Sequence, residues 1–227
     1  MATRTWILLS LALAAPVASA DDGLEFQGVW RQGGMIIGRV APTARVTFDR
    51  KSVPVSPDGH FVVGLGRDAP ATMTLIVTDP MGPRHYRFDV ERRSYAVQRV
   101  DGVPERTVTP PPEVMDRIRR EQELVDRARA VNSPRRDFLA GFSRPLDGPI
   151  TGVYGSQRIY NGVPKNPHFG LDIAAPTGAL VRAPAPGVVR LAQPDLYFSG
   201  GTLIVDHGQG LTSSFIHLSA ILVKEGD

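Results

Sequence analysis

The sequence predicts a mainly β protein: a small β-sandwich, a helical connector, and a second, antiparallel β domain rich in glycine. Three observations predict this. Residues 24–101 hold short alternating segments separated by turn residues. Residues 102–140 hold a proline-led stretch with helical periodicity. From about residue 141 onward, glycines punctuate one short β segment after another. With 227 residues, 42% of them hydrophobic, the chain can bury the cores of one large or two small domains.

The first stretch, "MATRTWILLSLALAAPVASA", has an early Arg4, an apolar run from Trp6 to Ala15, and small residues at Ala18 and Ala20. That is the pattern of a secretory signal peptide, residues 1–20, cut after Ala20. The run is too short to span a bilayer comfortably, and no later segment is apolar enough to span one. The expectation is a protein exported from the cytoplasm, with no integral membrane segment after cleavage. The chain has no cysteine, which excludes disulfides and any cysteine-ligated zinc or iron–sulfur site. The net charge of +3 comes without a dense Lys/Arg stripe interleaved with aromatics, so nucleic acid is not expected as a partner.

In residues 24–101, "ARVTFD" alternates, with Val46 and Phe48 on one face. "HFVVGLG", "TMTLIVTD" and "HYRFDV" follow, divided by turns at Ser56–His60 and Asp79–Arg84. Short strands at regular spacing suggest a small sandwich of immunoglobulin-like type. His60 and His85 read as ordinary surface or strand histidines.

The connector begins with prolines at 110–112. Thr109 is a candidate cap, and Glu113 suits a first turn. Val114, Ile118, Val125 and Ala128 share a helical face, and Asn132 and Pro134 stop the helix. The opposite face carries Arg117, Arg120, Glu121 and Arg127. A solvated connector is the expectation; the alternative is an arm that covers a neighbouring site.

Within the glycine-rich domain, "NPHFGLDIAAP" spans Asn166–Pro176. As a strand, "HFGLDI" places Phe169, Leu171 and Ile173 on a core face, and His168, Gly170 and Asp172 on the other. Gly170 leaves the space between imidazole and carboxylate open, so one nitrogen and one oxygen could hold an ion such as zinc. Two more histidines follow. His207 falls at a hairpin turn around Gly208–Gly210, where a polar residue needs no special role. His217 ends the next strand on a mixed face that the spacing alone does not assign.

Four elements in order resemble the lysostaphin-type (LytM-like) zinc metallopeptidases, over residues 142–227. They are "FSRPLDGPITGVYGSQR", with Tyr154, Gly155 and Arg158 near the family's usual Phe-Gly-x-Arg segment; "HFGLDIAAPTG", matching its His-x-x-x-Asp motif; "VRAPAPGVV"; and "LIVDHGQGLTSSFIHLS", near its Tyr-x-His-Leu stretch. Phe215 stands where the family has tyrosine, so no phenolic hydroxyl is available there.

The resemblance implies a duplicated-hybrid-motif type of antiparallel fold for residues 141–227, incomplete here. It implies that His168 and Asp172 are zinc ligands and that His217 is a catalytic histidine outside the metal's ligand set, either as general-base partner or as oxyanion donor. The family's third ligand lies in a later His-x-His motif, and the sequence stops before one at "VKEGD". A fragment is expected on this reading, inactive by itself. The function implied is a secreted zinc metalloendopeptidase, cutting the peptide stems of peptidoglycan through a zinc-activated water. The signal peptide suits a Gram-negative periplasm, and the bond expected there is the D-alanyl–diaminopimelate cross-link. The alternative is an inactive LytM-like regulator whose partner is another cell-wall hydrolase.

Overall fold

Alternation in the first third of the chain folds into two antiparallel sheets that share one core. The structure, a computed structural model, describes residues 24–102 and 110–227; the expected signal peptide and the capping position Thr109 lie outside them. The strands are β1 (Glu25–Gly28), β2 (Met35–Arg39), β3 (Arg45–Phe48), β4 (Lys51–Val53), β5 (His60–Gly64), β6 (Thr72–Asp79) and β7 (Gly82–Asp89). One sheet has the order β1-β2-β5, the other β4-β3-β6-β7. Ile36, Phe61 and Val63 from the first sheet meet Val46, Phe48, Leu75 and Val77 from the second in a single buried cluster. Each such side chain stabilises the fold by roughly 1.5–3 kcal/mol when fully buried. Trp30 stacks on Phe88 at 3.9 Å between ring centroids, and Phe26 meets Phe88 edge-on at 5.0 Å. The turn expected after Asp79 is a two-residue hairpin in which Asp79 Oδ1 accepts the Met81 N–H at 2.9 Å.

β8 (Val97–Val100) follows before the connector, and the second half holds α1 (Met115–Arg129), β9 (Ile150–Gly152), β10 (Gln157–Tyr160), β11 (Val163–Pro164), β12 (Asp172–Ile173), β13 (Val188–Leu196), β14 (Gly200–Gly208) and β15 (Leu211–Leu218). The last three form an antiparallel sheet in the order β13-β14-β15. The hairpin between β14 and β15 turns at Gln209 and Gly210, both at positive φ (52° and 77°), as a two-residue turn of matching twist requires. β8 pairs with β10, in parallel, Gln157 opposite Val97. The first and second halves of the chain are therefore hydrogen-bonded through a shared sheet. A second tie runs from Gln209 Nε2, which donates to His60 O at 3.0 Å, and from Arg136, which donates to Asp58.

The connector helix differs from the solvated rod expected of its charged face. Leu124, Val125 and Ala128 pack against Leu191, Leu196 and Ile204 of β13 and β14. The charged side also finds partners. Arg117 Nη2 donates to Asp195 O at 2.8 Å, and Glu121 accepts the Tyr197 N–H at 2.7 Å. The reason is the spacing of three and four between Leu124, Val125 and Ala128, which lays a stripe over an apolar sheet face that would otherwise stay in water. The helix ends at Arg129, with Asn132 and Pro134 just beyond it, as the sequence predicts.

Phe61 lies with no exposed surface between the two sheets. Phe61→Ala is expected to lower unfolding free energy by about 3–5 kcal/mol, read from chemical denaturation midpoints. A midpoint equal to that of the unaltered protein would mean the two sheets do not share this core.

Candidate metal centre

The alternation in "HFGLDI" predicts a strand, yet only Asp172–Ile173 is one. β12 pairs with β9, Asp172 opposite Gly152. Residues 168–171 are irregular, and Phe169 and Leu171 are 65% and 53% exposed instead of packing into a core. The cause is the shortness of β9, which spans three residues and offers no edge for His168–Leu171 to pair with; Pro167 also brings no N–H to a ladder. The His168 backbone is tied down otherwise. Its N–H donates to Ser156 O at 2.8 Å, and its carbonyl accepts the Gly155 N–H at 2.7 Å.

This places the His168 ring between two acceptors. Nδ1 lies 3.2 Å from Val153 O, and Nε2 lies 3.1 Å from Asp172 Oδ1. A neutral imidazole carries one N–H and can satisfy one of them. A cation held between Nε2 and the carboxylate would satisfy the other, as would a second ring proton. With Nδ1–H given to Val153 O, the Nε2 lone pair faces the carboxylate and solvent, the arrangement that orients a metal-ligating histidine. The imidazole is 33% exposed and the carboxylate 56%. Imidazole nitrogen and carboxylate oxygen are both zinc donors. Two donors at about 2 Å from a tetrahedral ion stand roughly 3.3 Å apart, close to the separation seen. His168 and Asp172 thus fit as two members of a zinc site. Among the described residues, no third His, Cys, Asp or Glu joins them.

The glycine that opens the site is not the one the spacing suggested. A Cβ on Gly170 would sit 3.5 Å from His168 Nε2, an ordinary contact, whereas one on Gly152 would sit 2.1 Å from Asp172 Oδ2. A side chain at 152 would push the Asp172 carboxylate from its place beside His168, a constraint visible only once β9 is set in register with β12.

His207 is not a turn residue. It lies within β14, fully buried, with Nδ1 2.6 Å from Pro186 O and Nε2 2.8 Å from Ser213 Oγ. The turn begins two residues later, so His207 is held as an internal polar strut. Beside it, Asp206 has no exposed surface and takes Arg190 Nη2 at 2.8 Å and the Gly208 N–H at 2.8 Å. Burial alone pushes its carboxyl up. The Arg190 guanidinium and the Gly208 N–H outweigh that and hold it below the ordinary carboxylate value. Cross-strand placement was the only signal for this pair.

His217 sits one residue before the end of β15, exposed, and does not join a metal-ligating cluster with His168 and Asp172 among the described residues. Its backbone is left-handed at φ 60°, and its N–H donates to Ser199 O at 2.8 Å. A non-glycine residue in that region costs of order 1 kcal/mol and is over-represented at functional positions. Phe215 pairs across to Leu203 and is half-buried.

A mainly β fold with a histidine–aspartate pair at the mouth of a short sheet defines a class, and comparison supplies the family. The profile of Peptidase family M23 matches residues 166–227. A crystal structure assigned to peptidase M23 from Pseudomonas aeruginosa shares 31% sequence identity, covers 87% of this chain and 78% of its own, and superimposes with a TM-score of 0.65. Two proteins of Vibrio cholerae named peptidoglycan DD-endopeptidase are also similar. ShyB is 31% identical over 96 residues, 42% of this chain and 20% of its own length. ShyA is 38% identical over 60 residues, 26% of this chain and 14% of its own length. The chain spans a fifth or less of these two relatives. It belongs to peptidase family M23, the LytM-like family that the order of its motifs indicates.

Asp206→Asn leaves Arg190 facing a neutral amide. The expected cost at pH 7 is about 3 kcal/mol, at the low end for a broken buried pair because Arg190 keeps part of its surface in water. Asp206 is held below its ordinary value in the folded state. Its contribution is therefore present above the unfolded carboxylate pKa of about 3.9 and is lost as pH falls through the lower folded value. Urea denaturation should show a gap between the two proteins at pH 7 that narrows below about pH 4. A gap that is the same at both pH values would remove the charge from the account.

Proposed function

We propose that this protein is a secreted zinc metalloendopeptidase that cuts the peptide cross-links of peptidoglycan, with His168 and Asp172 as zinc ligands and His217 as a catalytic histidine. The observation that carries the reading is the His168 ring held between Val153 O and Asp172 Oδ1. The names of the two Vibrio relatives support the substrate class, and the N-terminal signal pattern supports export to a Gram-negative periplasm. On this reading residues 24–101 form an immunoglobulin-like domain, 102–140 the connector and 141–227 the peptidase domain, and the bond cut is the D-alanyl–diaminopimelate cross-link.

When bound, zinc supplies Lewis acidity and a nucleophile at neutral pH. The chain's own residues do the rest. Val153 O accepts a hydrogen bond from Nδ1–H of His168, which fixes the ring plane and turns Nε2 outward. Asp172 brings a negative charge next to that nitrogen, and a third protein ligand would complete the usual set. His217 stands on a separate strand with an exposed imidazole. It moves a proton at a ring nitrogen, or donates from that nitrogen to the oxygen that gains charge as the peptide bond is cut.

A second reading is a zinc-free regulator of another wall hydrolase. Metal content separates the two. We expect one zinc per full-length protein by elemental analysis, and none in His168→Ala; equal zinc in both would sink the ligand assignment. His217→Ala should keep its zinc and its melting temperature while muropeptide release from purified sacculi falls by about two to four orders of magnitude. Loss of zinc in that variant would make His217 a ligand, and unchanged release would favour the regulator.

A further inference from the structure

The turn Val153–Ser156 has two sides. Toward His168 it makes three contacts: Val153 O faces Nδ1 at 3.2 Å, Gly155 N–H donates to His168 O at 2.7 Å, and Ser156 O accepts the His168 N–H at 2.8 Å. Toward the N-terminal sheets it is gripped just as closely. Arg67 Nε donates to Gly155 O at 2.8 Å. The Tyr95 ring lies so near that a Cβ on Gly155, whose φ is +87°, would come within 2.0 Å of it. The Arg67 guanidinium sits 4.6 Å from the centroid of that ring, and Tyr154 packs against it edge-on at 6.3 Å. One residue further, the Gln157 N–H donates to Ala96 O at 2.9 Å, which starts the parallel pairing of β10 with β8.

Every backbone group that fixes His168 therefore belongs to a turn whose other side is held by residues from before the connector. Glycine at 155 is what lets both grips coexist. Its positive φ reverses the chain, and its missing side chain lets the Tyr95 ring press on the backbone. Little else holds residues 168–171, which have no strand partner.

We propose that Tyr95 and Arg67 are positioning residues for His168, so that the N-terminal sandwich sets the strength of the metal site through the Val153–Ser156 turn. This rests on the reading of His168 as a zinc ligand. The mechanism is orientation: when the ring and guanidinium no longer press on Gly155, the turn loosens, and Val153 O no longer fixes the plane of the imidazole. Loss of a group bonded directly to a ligand, as Val153 O is to His168, typically changes metal affinity by roughly 10- to 100-fold; Tyr95 and Arg67 act through that group, so their effect is expected at or below the lower end, about 10-fold.

The test uses full-length protein and zinc alone. Two quantities are measured in Tyr95→Ala, Tyr95→Phe, Arg67→Met and His168→Ala: zinc affinity by chelator competition, and hydrogen-exchange protection of the His168 and Gly155 amides without metal. Tyr95→Ala should weaken zinc binding by up to about 10-fold. It should strip protection from those two amides while the β13–β15 sheet stays protected, which a general loss of stability would not do. Tyr95→Phe keeps the ring and should restore both. Arg67→Met should repeat the effect, and it carries the test alone if Tyr95→Ala does not fold. Unchanged zinc affinity in Tyr95→Ala and Arg67→Met, with His168→Ala unable to bind, overturns the proposal. So does protection lost evenly across the protein. If local protection falls but His168→Ala binds zinc like the unaltered protein, the positioning stands and the zinc reading is what fails.

Discussion

An imidazole with an acceptor at each end is the constraint on which the rest of this site depends. Val153 O and the Asp172 carboxylate cannot both be served by the single N–H of a neutral ring. The strand pairing that brings Asp172 opposite Gly152, and the turn that brings Val153 O to Nδ1, create this arrangement together. Neither is a local property of the His-x-x-x-Asp spacing. Shift β12 by one residue against β9 and the carboxylate moves to the other face of the sheet.

Two separate cores support that geometry. The sandwich core fixes the platform from which Arg67 and Tyr95 reach the Val153–Ser156 turn. The second core is smaller, with α1 laid over β13 and β14, and it carries the buried Asp206–Arg190 pair and the strut His207 within the same sheet. A buried ion pair contributes little net stability against an apolar alternative, but loss of either partner is costly. It acts here mainly to hold β13 and β14 in register beside the strand that carries His217.

Much of the fold was legible in period and punctuation. The alternation of "ARVTFD" and "TMTLIVTD", the turn residues after Asp79 and the stripe through Val125 and Ala128 all became the elements they suggested. What stayed hidden depends on residues far apart in sequence. "HFGLDI" alternates like a strand but has no partner edge, so His168–Leu171 is irregular and Phe169 lies open to solvent. His207 looked like a turn residue because glycines surround it, whereas the turn sits at Gln209–Gly210 and the imidazole is interior. The parallel pairing of β8 with β10 and the need for glycine at 152 are properties of register, which no local pattern announces. The pairing of His168 with Asp172 was legible because it is local in sequence; the groups that orient the two side chains were not.

The most direct measurement is anomalous diffraction at the zinc edge from crystals of the full-length protein. The account predicts a peak about 2 Å from both His168 Nε2 and Asp172 Oδ1, with Val153 O still at hydrogen-bond distance from Nδ1. A peak at His207 or His217 with none beside His168, or a His168 ring turned so that Nδ1 faces the metal, would contradict it.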